Sequence, residues 1–213
     1  MTGLWDGLLL GLGTTLLIWV GAIVVSLVLG VPLSALRRAE HWAPRLIGGA
    51  WAALARGIPP IVWIILVFYG LKFGPFQAFP PLAAMVALGV VNSAYVGDAI
   101  RAGLDSVPRG QWEAAKATGL GGVVTMGRVI LPQAFPIMLA TITAYSITLL
   151  KNTALASIIG VSEMLYYAYQ AVSTGTNPLV AFLAAGVIYL ACTVPLGFLA
   201  RWIETRSVIA VVR

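Results

Sequence analysis

The sequence predicts an all-α membrane protein of five transmembrane helices, with the amino terminus outside and the carboxyl terminus in the cytoplasm. Three observations carry this. Of 213 residues, 60% are hydrophobic and 9% charged, against roughly 25% charged in a soluble domain. Five apolar runs carry almost no charge, and a bilayer core needs roughly 20 such residues per helix. The basic residues gather between alternate runs, as the positive-inside bias requires of cytoplasmic loops. The 23 glycines and 12 prolines are spread through the apolar runs, which excludes disorder and fibrous repeats. A single transmembrane domain over residues 1–213 remains.

The first helix is expected at about 8–36, inside 30 uncharged residues from Gly7 to Leu36. That run is too long for a signal-peptide core, and no small-residue cleavage pattern follows it. The second, at about 50–71, is apolar except for Arg56, and Gly57-Ile58-Pro59-Pro60 should break or bend it, leaving Ile61 to Leu71 as its firm part. The third, at about 80–103, has an inner end made polar by Asn92, Asp98 and Arg101. The fourth, at about 133–157, draws on 22 uncharged residues from Val129 to Leu150, interrupted by Pro132 and Pro136. The fifth, at about 179–203, follows a polar turn from Ser173 to Pro178.

Orientation follows from the bases. Ten of the thirteen fall in three segments: Arg37, Arg38 and Arg45; Arg101, Arg109, Lys116 and Arg128; and Arg201, Arg206 and Arg213. These are read as cytoplasmic, while the external loop near 72–80 carries only Lys72. Placed between spans, the net charge of +6 points to the membrane surface and not to nucleic acid. Trp5, Trp42, Trp51, Trp202 and Tyr166 to Tyr169 lie near expected boundaries, where amphipathic rings anchor at the headgroups. The chain has one cysteine, Cys192, inside an apolar run, and one histidine, His41. No disulfide framework follows, a metal or haem centre lacks ligands, and a membrane enzyme lacks an evident nucleophile and base.

The loop between the third and fourth spans predicts a short helix over about 110–119. Pro108 and Gly110 open it, Gly119 is placed to close it in the left-handed conformation, and Glu113 is expected in the first turn, where the helix dipole favours an anion. So short a helix is marginal alone in water, so something must hold it. Ala114, Ala115 and Ala117 leave it slim enough to enter a groove on another protein. An amphipathic helix resting on the headgroups is the other local reading.

The register around this helix reads Glu113-Ala114-Ala115, three residues, Gly119, nine residues, then Val129-Ile130-Leu131-Pro132. It resembles the EAA motif of permease subunits of ATP-binding-cassette importers, with Val129 where isoleucine is usual. Arg56-Gly57-Ile58-Pro59, Ser106-Val-Pro-Arg-Gly-Gln111 and Leu149-Leu-Lys-Asn-Thr153 resemble further motifs of the polar amino-acid branch. The likeness runs from about Gly11 to Leu190. It implies a type I importer permease fold and a permease subunit that forms the path of an ATP-driven amino-acid importer in the bacterial inner membrane. Gly110, Gln111, Glu113, Ala114, Ala115 and Gly119 would then belong to the coupling helix. The implied partners are a second permease chain, identical or related, two ATPase subunits and an external substrate-binding protein. The chain itself has no G-x-x-x-x-G-K-[ST] loop to cradle phosphates. ATP and magnesium are therefore expected in the ATPase subunits, with no cofactor in this chain.

Asn92, Tyr95, Asp98 and Arg101 recur at intervals of three and form a ridge on the third helix. Ionisable groups at membrane depth must be paired or wetted. Asp98 and Arg101 either pair with each other at the helix end or face a substrate path. In the second case Asn92, Tyr95 and Arg101 supply donors for an amino acid's carboxylate and Asp98 an acceptor for its ammonium. Lys151 lies about 22 Å along a helix begun after Pro136. It either snorkels to the outer surface or pairs with an acid of the third helix or of a dimer mate, with Asn152 and Glu163 shaping the cavity. Asn152 stands where the family usually has aspartate, which suits an acidic or neutral substrate, although Asp98 and Glu163 weigh against that. The competing function is a proton-coupled secondary transporter with Asp98 and Glu163 carrying protons; paired halves, common in such folds, are not evident here.

Overall fold

A computed structural model describes the backbone over 3–70 and 79–212, with side chains described up to Ile203 and at Thr205. The expected external loop with Lys72 therefore falls largely outside the described residues, as does Arg213. The elements are α1 (Leu4–Arg37), α2 (Trp42–Gly57), α3 (Pro60–Gly70), α4 (Pro80–Asp105), α5 (Arg109–Ala117) and a single turn α6 (Gly122–Val124). They continue as α7 (Leu131–Asn152), α8 (Met164–Ser173) and α9 (Pro178–Val212). No strand occurs among the described residues. Four helical segments are long and apolar enough to cross a membrane, and α2 with α3 makes a bent fifth.

The expected second helix is two arms set at 100°. Its break has a local cause: Ile58, which precedes a proline, is extended at φ −95 and ψ 128, and a residue before proline is driven out of the helical region. The fourth span is also less regular than expected. A π-helical turn over Thr125–Ile130 leads into α7, and a 3-10 stretch over Thr153–Ile159 follows it. Helix α8 was not foreseen; it lies between the fourth and fifth spans. Helix α9 runs nine residues past the expected end at 203.

α1 and α4 run parallel in close contact through small residues. Gly89 lies against Val25 and Ala22, and Gly30 against Val96 and Ser93. In lipid, helices gain little from hiding apolar surface, so backbone approach through small residues supplies the packing. α7 returns antiparallel to α4: Met138 lies against Gly103 near one end, and the Tyr95 and Tyr145 rings meet at 5.0 Å further along. The Trp19 indole of α1 donates to the Ser146 carbonyl of α7 at 2.8 Å. The apolar side chains left outside, such as Leu17, Val20 and Val24 of α1 and Leu183, Val187 and Leu190 of α9, are suited to lipid or to another chain.

Two polar groups fasten the bundle. Near the α5 end, the Asp98 carboxylate of α4 accepts from Arg37 at the end of α1 and from Arg56 at the end of α2. One acid thus ties three helices, with side chains only 14–36% exposed. Near the other end, Glu163 is fully buried and caps α8, accepting from the backbone N–H groups of Leu165 and Tyr166 at 2.9 and 2.8 Å and from the Tyr189 hydroxyl of α9 at 3.0 Å. The Met164 N–H donates to the Thr15 hydroxyl of α1 at 3.3 Å. There α1 comes so close that a Cβ on Gly11 would sit 2.7 Å from the Met164 nitrogen.

Removing the Asp98 charge leaves two guanidinium groups facing each other in a partly buried site. Asp98→Asn should destabilise the detergent-purified protein by about 2 kcal/mol, between the values for surface and buried pairs. Asp105→Asn, which touches the exposed Arg38 pair, should cost well under half of that; equal losses in melting temperature would contradict the three-helix tie. Similarly, Gly11→Ala should lower the melting temperature by forcing α1 from α8. Gly13→Ala, which has nothing within 4 Å, should leave it unchanged or raise it, and the reverse order would refute the close approach.

Candidate functional site

A cavity of about 230 Å³ lies between α3, α4 and α7. Pro60, Leu88, Val91 and Leu149 form its apolar walls, and Asn92, Tyr95, Tyr145, Thr148 and Asn152 supply its polar atoms. On α7, Tyr145, Thr148 and Asn152 are spaced by three and four residues, so they share one face. On α4, Leu88, Val91, Asn92 and Tyr95 do the same.

The polar groups are held in place without being used up. Asn92 donates through Nδ2 to Ser26 Oγ of α1 at 3.2 Å, which fixes the amide and leaves its oxygen free. The Arg56 guanidinium lies over the Tyr95 ring at 5.9 Å from its centre, within reach of a cation–π contact, while its other partner is Asp98. Thr141, Thr143 and Ser146 of α7 spend their hydroxyls on carbonyls of their own helix. Thr148 and the Asn152 amide find no such partner among the described residues. Polar groups that converge on a hollow without internal partners are the usual makings of a ligand site.

Of the residues expected to touch substrate, Asn92, Tyr95 and Asn152 are brought together here. Asp98, Arg101, Lys151 and Glu163 do not line the cavity. Asp98 faces Arg37 and Arg56 and not Arg101. Arg101 is exposed and lies 3.9 Å from Asp105, one turn on. Glu163 is taken up in capping α8, and burial pushes its carboxyl above the usual carboxylate range, with the two N–H groups and Tyr189 acting against that. Lys151 is exposed in the last turn of α7 and has no ion-pair partner among the described residues. Sequence spacing missed Tyr145 and Thr148, although their register with Asn152 was there to be seen.

At the other end of the same two helices sits α5. Its Trp112 packs against an apolar cluster formed by Leu104 at the end of α4, Val107 just after it, Ile130 of the π-helical turn and Ala134 and Met138 of α7. Ala115 is buried, whereas Gln111, Glu113, Ala114 and Lys116 are exposed. Glu113 is the fifth residue of the helix and not part of its first turn, because the helix starts at Arg109 directly after Pro108. Gly119 closes it at φ +75, with the Leu120 N–H donating to the Ala115 carbonyl and the Gly119 N–H to that of Lys116. This double bond pattern needs a left-handed residue, the conformation glycine adopts at little cost.

The model of the family described as "Binding-protein-dependent transport system inner membrane component" matches residues 22–208. The arginine transport system permease protein ArtQ of Bacillus subtilis (strain 168) is 34% identical over 198 residues, covering 92% of this chain and 90% of the relative. The octopine transport system permease protein OccM of Rhizobium radiobacter is 34% identical over 199 residues, covering 88% and 81%. A crystal structure of an amino acid ABC transporter with histidines superposes with a TM-score of 0.85 at 27% identity, covering 94% of both chains. With four to five apolar spans and a family match over most of its length, the chain belongs to the binding-protein-dependent transport system inner membrane components, as a multi-pass protein of the plasma membrane.

Proposed function

We propose that the chain is the transmembrane permease subunit of an ATP-driven amino-acid importer. The carrying observation is that α5 packs through Trp112 against the apolar cluster shared by the end of α4, the π-helical turn and the start of α7, and α4 and α7 supply every polar side chain of the cavity. A push on the exposed face of α5 therefore reaches the cavity walls along two stiff rods. Tyr95 stands about 15 Å from the α5 end of α4 at 1.5 Å per residue. Amino-acid substrates are supported by the relatives, whose names include permeases for arginine, for octopine and, as a probable function, for glutamine.

The amino terminus is placed outside and α5 in the cytoplasm, on the bias of the basic loops. Two ATPase subunits bind α5 from a pair of permease chains and supply the nucleotide and its magnesium. An external binding protein delivers substrate to the opposite face. Gly110, Gln111, Glu113 and Ala114 lie on the segment offered to the ATPase, while Ala115 and Gly119 hold its shape. A zwitterionic substrate meets amide and hydroxyl groups in the cavity: carboxylate oxygens accept from Tyr95, Tyr145 and Thr148, and the ammonium donates to the amide oxygens of Asn92 and Asn152. Proton coupling through Asp98 and Glu163 has no support, since the first is held by two arginines and the second by a helix end, both away from the cavity.

Reversing the charge of the exposed Glu113 leaves the packed face of α5 untouched. Glu113→Lys should therefore abolish substrate-stimulated ATP hydrolysis, at least tenfold, in the reconstituted complex while melting temperature stays unchanged. Stimulation at the unaltered level would refute the coupling role. Uptake into vesicles should also require ATP and survive an uncoupler; uptake that collapses with the uncoupler and persists without ATP would favour a proton-driven carrier.

A further inference from the structure

We propose, resting on the importer function above, that the membrane cavity itself discriminates by charge: it admits amino acids whose side chain is uncharged and rejects those with a cationic side chain. The basis is the set of groups around it. Its polar lining consists of two amides, two phenols and a threonine hydroxyl, with no carboxylate. These groups suit the paired charges of a zwitterion, which sum to zero, but offer nothing to balance an additional positive charge. Taking an unpaired charge from water into such a site is costly.

The acids that might have supplied the balance are committed elsewhere. Asp98, one turn beyond Tyr95 on α4, is bonded to both Arg37 and Arg56, so the cluster at that edge carries a net positive charge. Its Arg56 guanidinium is the group that lies over the Tyr95 ring of the cavity wall. Glu163 is fully buried, with Leu165, Tyr166 and Tyr189 donating to it. Lys151, the neighbour of Asn152 in the last turn of α7 but not part of the lining, is exposed and without an ion-pair partner among the described residues. Positive charge therefore stands at the Tyr95 edge of a neutral cavity, with no carboxylate in the lining to offset it. Asn152 is the position at which one atom exchange, amide nitrogen for oxygen, would reverse the balance.

The experiment measures equilibrium binding of radiolabelled L-glutamine and L-arginine to the permease assembled with its ATPase subunits, in the absence of the binding protein, so that only the membrane site selects. The unaltered complex should bind L-glutamine at least about tenfold more tightly than L-arginine. Asn152→Asp should narrow or invert that ratio by at least about tenfold. Should that variant fail to assemble, Thr148→Asp puts a carboxylate on the same exposed rim and must produce the same change. Equal or tighter binding of L-arginine by the unaltered complex, or a ratio untouched by both variants, overturns the proposal. Binding of neither amino acid by a complex whose ATPase is still stimulated by loaded binding protein also overturns it, while leaving the importer function standing. Uptake without the ATPase subunits would instead defeat the importer function.

Discussion

A polar group buried between these helices has no water to fall back on, and the bundle is arranged around that constraint. Asp98 is answered by two arginines from different helices. Glu163 is answered by a helix terminus and a tyrosine, and Asn92 in part by Ser26. Each of these answers ties elements far apart in sequence, so the same contacts that neutralise the polar groups also fix the bundle. Among the described residues, Thr148 and Asn152 are left without internal partners in the hollow between α3, α4 and α7, and the buried Trp63 indole N–H of α3 is unpartnered as well.

Mechanically, the two ends of α4 and α7 do different work. Near one end both meet the apolar cluster that holds Trp112 of α5; further along, both line the cavity. The Schellman turn at Gly119 closes α5 and shapes the chain that leads from it towards the π-helical turn and α7. The 100° break after Gly57 has a related effect: it puts Arg56 where it reaches both Asp98 and the face of Tyr95, and puts Pro60 in the cavity wall.

Local signals proved legible where physics is local. The break at Pro59, the left-handed close at Gly119 and the long apolar spans follow from residue chemistry over a few positions. Pairing at distance did not. A spacing of three suggested Arg101 for Asp98, yet its partners lie 61 and 42 residues away, and no local periodicity reports on that. Glu163 is expected to help shape the cavity but instead caps α8, a short helix closed by Gly175 at φ +101, and glutamate is not a favoured N-cap residue. Tyr145 and Thr148 share the face of Asn152 and line the cavity, but they carry no charge at neutral pH, so no charged group marks them in the sequence.

The most direct test of whether those unanswered groups form a wet, substrate-filled site is chemical. In a Cys192→Ser background, Thr148→Cys in the assembled complex should react with a water-soluble maleimide and be protected by L-glutamine, whereas Leu183→Cys on the apolar face of α9 should be unreactive in both conditions. A cysteine at 148 that stays inert to the reagent, or that reacts equally with and without the amino acid, would contradict the account.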